Sequence, residues 1–105
     1  MSKRSKWCEF DKKTREIIYE RDYNKCIFCG GTLFLGIAHV FVSRAHGGKG
    51  CIENGVLLCQ NCHGMLDNGN NTEKRIEINN FCCDYLYNLY GEIDKKELIY
   101  DKWRG

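Results

Sequence analysis

Cys26-Ile27-Phe28-Cys29-Gly30 and Leu58-Cys59-Gln60-Asn61-Cys62-His63 decide how this chain folds. Each stretch holds a Cys-x-x-Cys pair. Four thiolates at this spacing suit a tetrahedral structural zinc site that contributes folding energy. Between the pairs lie Ala38-His39-Val40 and Asn54-Gly55-Val56-Leu57-Leu58, and His63 directly follows the second pair. A His, an Asn and a His inside a cysteine clamp suit a second, catalytic metal site.

Working outward, 1–105 reads as one domain of ordinary size. The opening Met1-Ser2-Lys3-Arg4-Ser5-Lys6-Trp7 is polar and basic, with no apolar stretch behind it, and does not read as a secretory signal. No run approaches the ~18 apolar residues of a membrane helix. A cytoplasmic location without a membrane partner is therefore expected, and the paired cysteines read as metal ligands rather than disulfides. A thioredoxin-like redox role is the weaker competitor, because neither pair follows a βαβ pattern. The net charge of +2 names no partner by itself. Its distribution says more: residues 1–25 carry eight Lys/Arg against five Asp/Glu, whereas 67–105 carry six against eight. The amino-terminal side is the expected phosphate-facing surface, weighed against a solvated tail and a salt-bridged helix.

The pattern along the chain predicts an α+β fold. Residues 1–9 read as a loose basic arm. A helix is expected from Asp11, as N-cap, to Asp22, with Phe10, Thr14, Ile17, Ile18 and Arg21 on one side. Leu33 to Val42 reads as a strand, Ser43 to Glu53 as a glycine-broken loop, and Val56 to Leu58 as a second strand pairing back on the first. A helix begins near Gln60 or Asn61 and ends at Asn68-Gly69-Asn70-Asn71. Thr72 opens a longer helix to about Tyr90, with Ile76, Phe81, Tyr85, Leu86 and Leu89 as its expected apolar stripe. A last short helix covers roughly Asp94 to Tyr100. Cys8, Cys82 and Cys83 read as free cysteines, buried by default, and Cys51 is expected at the surface.

The middle of the chain resembles the HNH endonuclease family, also called ββα-metal nucleases. The matching residues are Cys26-Ile27-Phe28-Cys29-Gly30, Ala38-His39-Val40-Phe41-Val42-Ser43-Arg44-Ala45-His46-Gly47-Gly48, Glu53-Asn54-Gly55-Val56-Leu57-Leu58-Cys59 and Gln60-Asn61-Cys62-His63. The resemblance covers 26–69. It implies a zinc-clamped ββα core, flanked by an N-terminal helix and a C-terminal helical extension over 72–105. It also implies a metal-dependent DNA endonuclease that nicks or cuts duplex DNA by one-metal chemistry. In that register His39 is the general base, and a neutral imidazole can take a proton from water near pH 7. His63 is a metal ligand. Asn54 either ties the glycine loop to the second strand or reaches the metal with its oxygen. Asp67 is four residues after His63 and shares its helix face, so its carboxylate either completes the metal site or merely ends the helix.

One position departs from the family. Many members carry a metal-binding Asp or His just before the base, and here that position is Ala38. The remaining donors would be His63, Asp67 or Asn54, and water, a set that favours Mg²⁺ or Mn²⁺, with Ni²⁺ a further candidate. Arg44 and Lys49, in the glycine loop, are the candidate phosphate-binding residues, Arg44 the better placed by its donor fork. His46 reads as a solvent-facing loop residue. The tail Leu98-Ile99-Tyr100-Asp101-Lys102-Trp103 looks like small phage-type members, which implies packaging proteins as partners. The chain would act as a monomer or homodimer. Two rivals stand beside the enzyme: a zinc-stabilised nucleic-acid-binding module that does not cut, kept in play by Ala38, and a zinc ribbon for protein contacts.

Overall fold

The computed structural model describes residues 2–68 and 71–101. The expected turn at 69–70 and the end of the tail at 102–105 lie outside the described residues. Among the described residues, four α-helices and a two-stranded antiparallel sheet make up the regular structure: α1 (Lys3–Cys8), α2 (Lys12–Arg21), β1 (Leu35–His39), β2 (Gly55–Cys59), α3 (Gln60–Asn68) and α4 (Thr72–Tyr90). Short 3-10 turns at Arg44–His46, Ile52–Asn54 and Lys95–Leu98 punctuate the connections. Among the described residues, no helix is long and apolar enough to cross a membrane.

The strands pair with Ile37 opposite Leu57 and His39 opposite Gly55. Side chains alternate across a strand, so Ala38 and Val40 face one way with Val56 and Leu58. That side is the core, where these residues pack with Cys26, Cys62, Ile78, Cys82 and Leu86. Helices α3 and α4 therefore cover one face of the hairpin, and the zinc-type cysteines sit at the seam. Leu57 points to the opposite side, which α2 approaches, and is fully buried, as is Ile18.

A buried ion pair fastens α2 to the hairpin. Arg21 donates to both carboxylate oxygens of Asp22 (2.7 and 2.9 Å), to the Gly55 carbonyl at 2.7 Å and to the Ile52 carbonyl at 2.8 Å. Asp22 in turn accepts from the Leu57 N–H and from the Tyr85 hydroxyl. Burial works against the Arg21 guanidinium, but its bonds to Asp22 and Tyr90 outweigh that and raise its pKa above the ordinary value. A buried pair persists when its remaining donors and acceptors are satisfied, and here they are.

Several expectations need correction. The amino-terminal segment is not a loose arm: Ser2 caps α1 by accepting from the Ser5 N–H, and the Trp7 indole N–H donates to the Gly47 carbonyl at 3.0 Å. The chain comes so close here that a Cβ on Gly50 would lie 2.2 Å from the Glu9 carbonyl oxygen. The first strand is shorter than Leu33–Val42. Phe34 has φ +54°, in the left-handed region that breaks a strand, and Leu33 and Phe34 are both exposed. At the other end the Asn54 side chain, not a strand, receives the Phe41 and Val42 N–H groups. The α4 stripe holds at Leu86, which is buried, and at Tyr85, which is partly so; Ile78 and Cys82 are buried beside them, whereas Ile76, Phe81 and Leu89 are exposed. The last expected helix is a single 3-10 turn at Lys95–Leu98, followed by a bridge from Ile99 to Gly48. Cys51 is half-buried rather than surface-exposed, and burial pushes its thiol pKa up.

Candidate active site and metal centre

The Sγ atoms of Cys26, Cys29, Cys59 and Cys62 all lie within 4.8 Å of one another. A tetrahedral zinc with ~2.3 Å bonds needs sulfurs about 3.8 Å apart. The Cys29–Cys59 separation of 3.6 Å already meets that. Backbone N–H groups of Cys29, Gly31 and Cys62 point at the sulfurs of Cys26, Cys29 and Cys59, at 3.4–3.5 Å. Such donors stabilise thiolate. Burial opposes ionisation of Cys26, yet N–H donation led by Cys29 brings its thiol down to about 7. Burial, followed by the neighbouring thiols, raises Cys62. Four crowded sulfurs cannot all ionise alone, and a bound cation removes that conflict. The cluster fits a closed structural metal site.

The second constellation lies at the end of β1. His39 is the last residue of that strand, and its Nε2 is 2.9 Å from the Cys8 carbonyl oxygen. A carbonyl only accepts, so Nε2 carries the proton and Nδ1 keeps its lone pair. Phe10 packs on the imidazole at a centroid distance of 4.5 Å. The link between α1 and α2 thus fixes both tautomer and ring. Burial lowers the His39 pKa below its ordinary value; the Cys8 carbonyl pulls the other way, and the positive field of Arg44 adds to the lowering.

His63 and Asp67 stand one turn apart on α3, with Nε2 2.9 Å from a carboxylate oxygen. Both influence the His39 ring electrostatically, as does Arg44. Octahedral ligation at 2.0–2.1 Å sets neighbouring donors about 3.0 Å apart, so this pair has the spacing of two adjacent ligands. His63 Nδ1 faces β1 at Gly36, where a Cβ would lie at an ordinary contact distance of 3.9 Å. Ala38 is fully buried in the core and offers no donor.

Asn54 sits elsewhere in this arrangement. Its Oδ1 accepts from the Phe41 and Val42 N–H groups at 2.7 and 3.2 Å, and its Nδ2 donates to the carbonyls of Val42 and Lys49, both at 3.0 Å. Both lone pairs of the oxygen are engaged, so Asn54 ties the glycine loop and has nothing left for a cation. Arg44 is exposed beside the site. Lys49 lies over the Trp7 ring at 4.9 Å, against α1. His46 bonds with Ser43 at 2.7 Å. Two positioning groups escaped the sequence reading: the Cys8 carbonyl and the Phe10 ring. A backbone carbonyl leaves no mark in a sequence, and Phe10 read only as the apolar start of a helix face.

Residues 26–69 match a family model described as HNH endonuclease. Among solved structures, the chain is similar to one titled "Structure of the Type IV phosphorothioation-dependent restriction endonuclease ScoMcrA". The match has a TM-score of 0.54 at 20% identity and covers 74% of this chain. The chain spans only 19% of that protein. No curated protein matches it.

Proposed function

We propose that this protein is a metal-dependent DNA endonuclease, with His39 as general base and His63 and Asp67 as the protein ligands of a catalytic divalent ion. The carrying observation is the pinned His39 ring, protonated at Nε2 by its bond to the Cys8 carbonyl and free at Nδ1. DNA enters as the substrate because the matched family model describes endonucleases and the similar solved structure is a restriction endonuclease.

In this reading Nδ1 takes a proton from water, and the water oxygen forms a bond to phosphorus as the bond to the 3′ oxygen breaks. His63 and Asp67 would hold a cation that would supply charge stabilisation of roughly several kcal/mol to the leaving oxygen, which takes a proton from solvent to become the 3′ hydroxyl. Mg²⁺ or Mn²⁺ suits a mixed nitrogen and oxygen set completed by water, with Ni²⁺ as a further candidate. Burial keeps His39 neutral at lower pH than a free imidazole, which suits a base. Zinc is the ion proposed for the four cysteines. The setting proposed is phage DNA processing, which rests only on the tail resemblance at Leu98–Trp103.

The test is nicking of supercoiled plasmid by the unmutated protein and His39→Ala, with Mg²⁺, Mn²⁺ or Ni²⁺. Cutting by the unmutated protein alone, with both proteins giving the same thermal melt, is the expected result. Equal cutting by both overturns the assignment of the base. DNA binding without cutting under any ion favours the second reading, a zinc-stabilised binding module, for which the missing donor at buried Ala38 is the supporting observation.

A further inference from the structure

We infer that the cleft between α2 and the outer edge of β1 is a second phosphate-binding subsite on duplex DNA, with Arg15 as the residue that holds it. The inference rests on the nuclease reading and extends it to a residue outside the matched segment 26–69. The cleft has a volume of about 320 Å³ and is lined by Arg15, Arg44, Phe10, Gly36, Ile37 and Glu9, among others. It joins the candidate active site directly. Phe10 packs on His39, Arg44 acts on the same ring, and Gly36 lies beside His63 Nδ1.

Three features give the cleft an anion's chemistry. First, the residues lining the cleft include two arginines, Arg15 and Arg44, against one acidic residue, Glu9. Neither arginine is in an ion pair among the described residues. Asp11 feels Arg15 only as the last of its influences. Second, β1 has an open edge. The Val40 N–H bonds the Asn54 carbonyl, so even-numbered positions of this strand turn their backbone groups toward β2. Odd-numbered positions turn theirs outward, and the Leu35 carbonyl does so by accepting from the Tyr19 hydroxyl at 3.4 Å. The next outward N–H is that of Ile37, which lines the cleft. The outer edge of β2 is by contrast occupied by Ile27, Asp22 and Arg21. Third, Arg4 braces the Arg44 turn by donating to the carbonyls of Arg44 and Ala45 at 3.3 and 2.9 Å. Two arginines outside any ion pair among the described residues, lining the same cleft as an outward-facing backbone N–H, match a phosphodiester. A duplex whose scissile phosphate sits at His39 would lay a neighbouring phosphate here.

The experiment measures anisotropy of a labelled DNA duplex against salt, without added divalent ion so that no cutting intervenes. It compares the unmutated protein, Arg15→Ala, Arg15→Lys and Arg75→Ala, with plasmid nicking in parallel. Arg75 lines a separate cavity on α4 and controls for net charge. One lost phosphate contact flattens the slope of log K against log salt by about 0.9 and weakens binding roughly five- to tenfold at 0.1 M salt. Arg15→Ala is expected to do this with an unchanged thermal melt. Arg15→Lys should keep most of the slope, and Arg75→Ala should leave it alone. The subsite is overturned if Arg15→Ala binds like the unmutated protein, if Arg75→Ala flattens the slope equally, or if no protein binds duplex at low salt. Nicking separates the two readings. Binding that depends on Arg15 without any nicking sinks the nuclease and keeps the subsite; nicking with binding indifferent to Arg15 does the reverse.

Discussion

At the scale of single residues, His39 ties geometry to a measurable pH dependence. Its ring is buried, so the neutral form is favoured in the folded protein and the pKa is lowered. For a proposed base, activity falls on the acid side as the ring protonates. The acid limb of kcat/KM should therefore inflect below about 6.5, the value of a free histidine. Arg44→Ala removes a positive charge that contributes to the lowering, so that inflection should move up in pH. An inflection above the free value, or one that Arg44→Ala leaves in place, speaks against His39 as the base. Stability follows the same sign. The unfolded chain binds the extra proton first, so the contribution is complete above the unfolded pKa and lost as pH falls through the lower, folded one. The residue identities behind this site were readable, because cysteine pairs, His39, Asn54 and His63 lie at fixed local spacings. Their settings were not. The Cys8 carbonyl that orients His39 comes from 31 residues away, and Arg15 belongs to a helix with no motif.

At the scale of elements, α4 marks where periodicity gives a helix but not its face. Its bounds, Thr72–Tyr90, follow from Asn71 as N-cap and Gly91 beyond the end, both local signals. Choosing the largest apolar residues put Ile76, Phe81 and Leu89 inward. The structure keeps Leu86 in the core and turns Ile78 and Cys82 there with it, a ridge spaced four apart that packs with Cys26 and Cys62. What decides the face is the cysteine cluster, a partner formed by segments distant in sequence. Phe81 still has a use: it meets Phe28 of the first knuckle edge-on at 5.3 Å. Ile78→Ala should cost about 2–5 kcal/mol, the range for a buried isoleucine truncated in a packed core. Ile76→Ala, on the exposed side, should stay within about 0.5 kcal/mol. Urea melts of the two variants check this, and equal losses would mean that α4 is rotated from the face described.

At the scale of the whole molecule, the question is what lets so small a core stand. Among the described residues the sheet has two strands, and a lone hairpin is marginal in water. Helices α3 and α4 cover one face, and the Arg21–Asp22 pair fastens α2 to the other side. The four cysteines join the first knuckle to the end of β2 and the start of α3, closing the chain from residue 26 to residue 62. Structural zinc binds such sites with apparent free energies of about 10–16 kcal/mol at pH 7. The net stability of a domain is ~5–15 kcal/mol. A bound zinc would contribute a term as large as the whole net stability of such a domain, so the metal-free chain is expected not to hold this fold. Cys59→Ser removes one of the four clustered thiols, at the hinge between β2 and α3. It should lose its zinc by elemental analysis and show no cooperative melt, whereas the unmutated protein should carry one zinc per chain. Ligand thiols must lose their protons to bind, so zinc retention should weaken as pH falls. A Cys59→Ser protein that melts at the unmutated midpoint would shift the stability to the helical packing and the buried Arg21–Asp22 pair, leaving the cysteine cluster without a structural role.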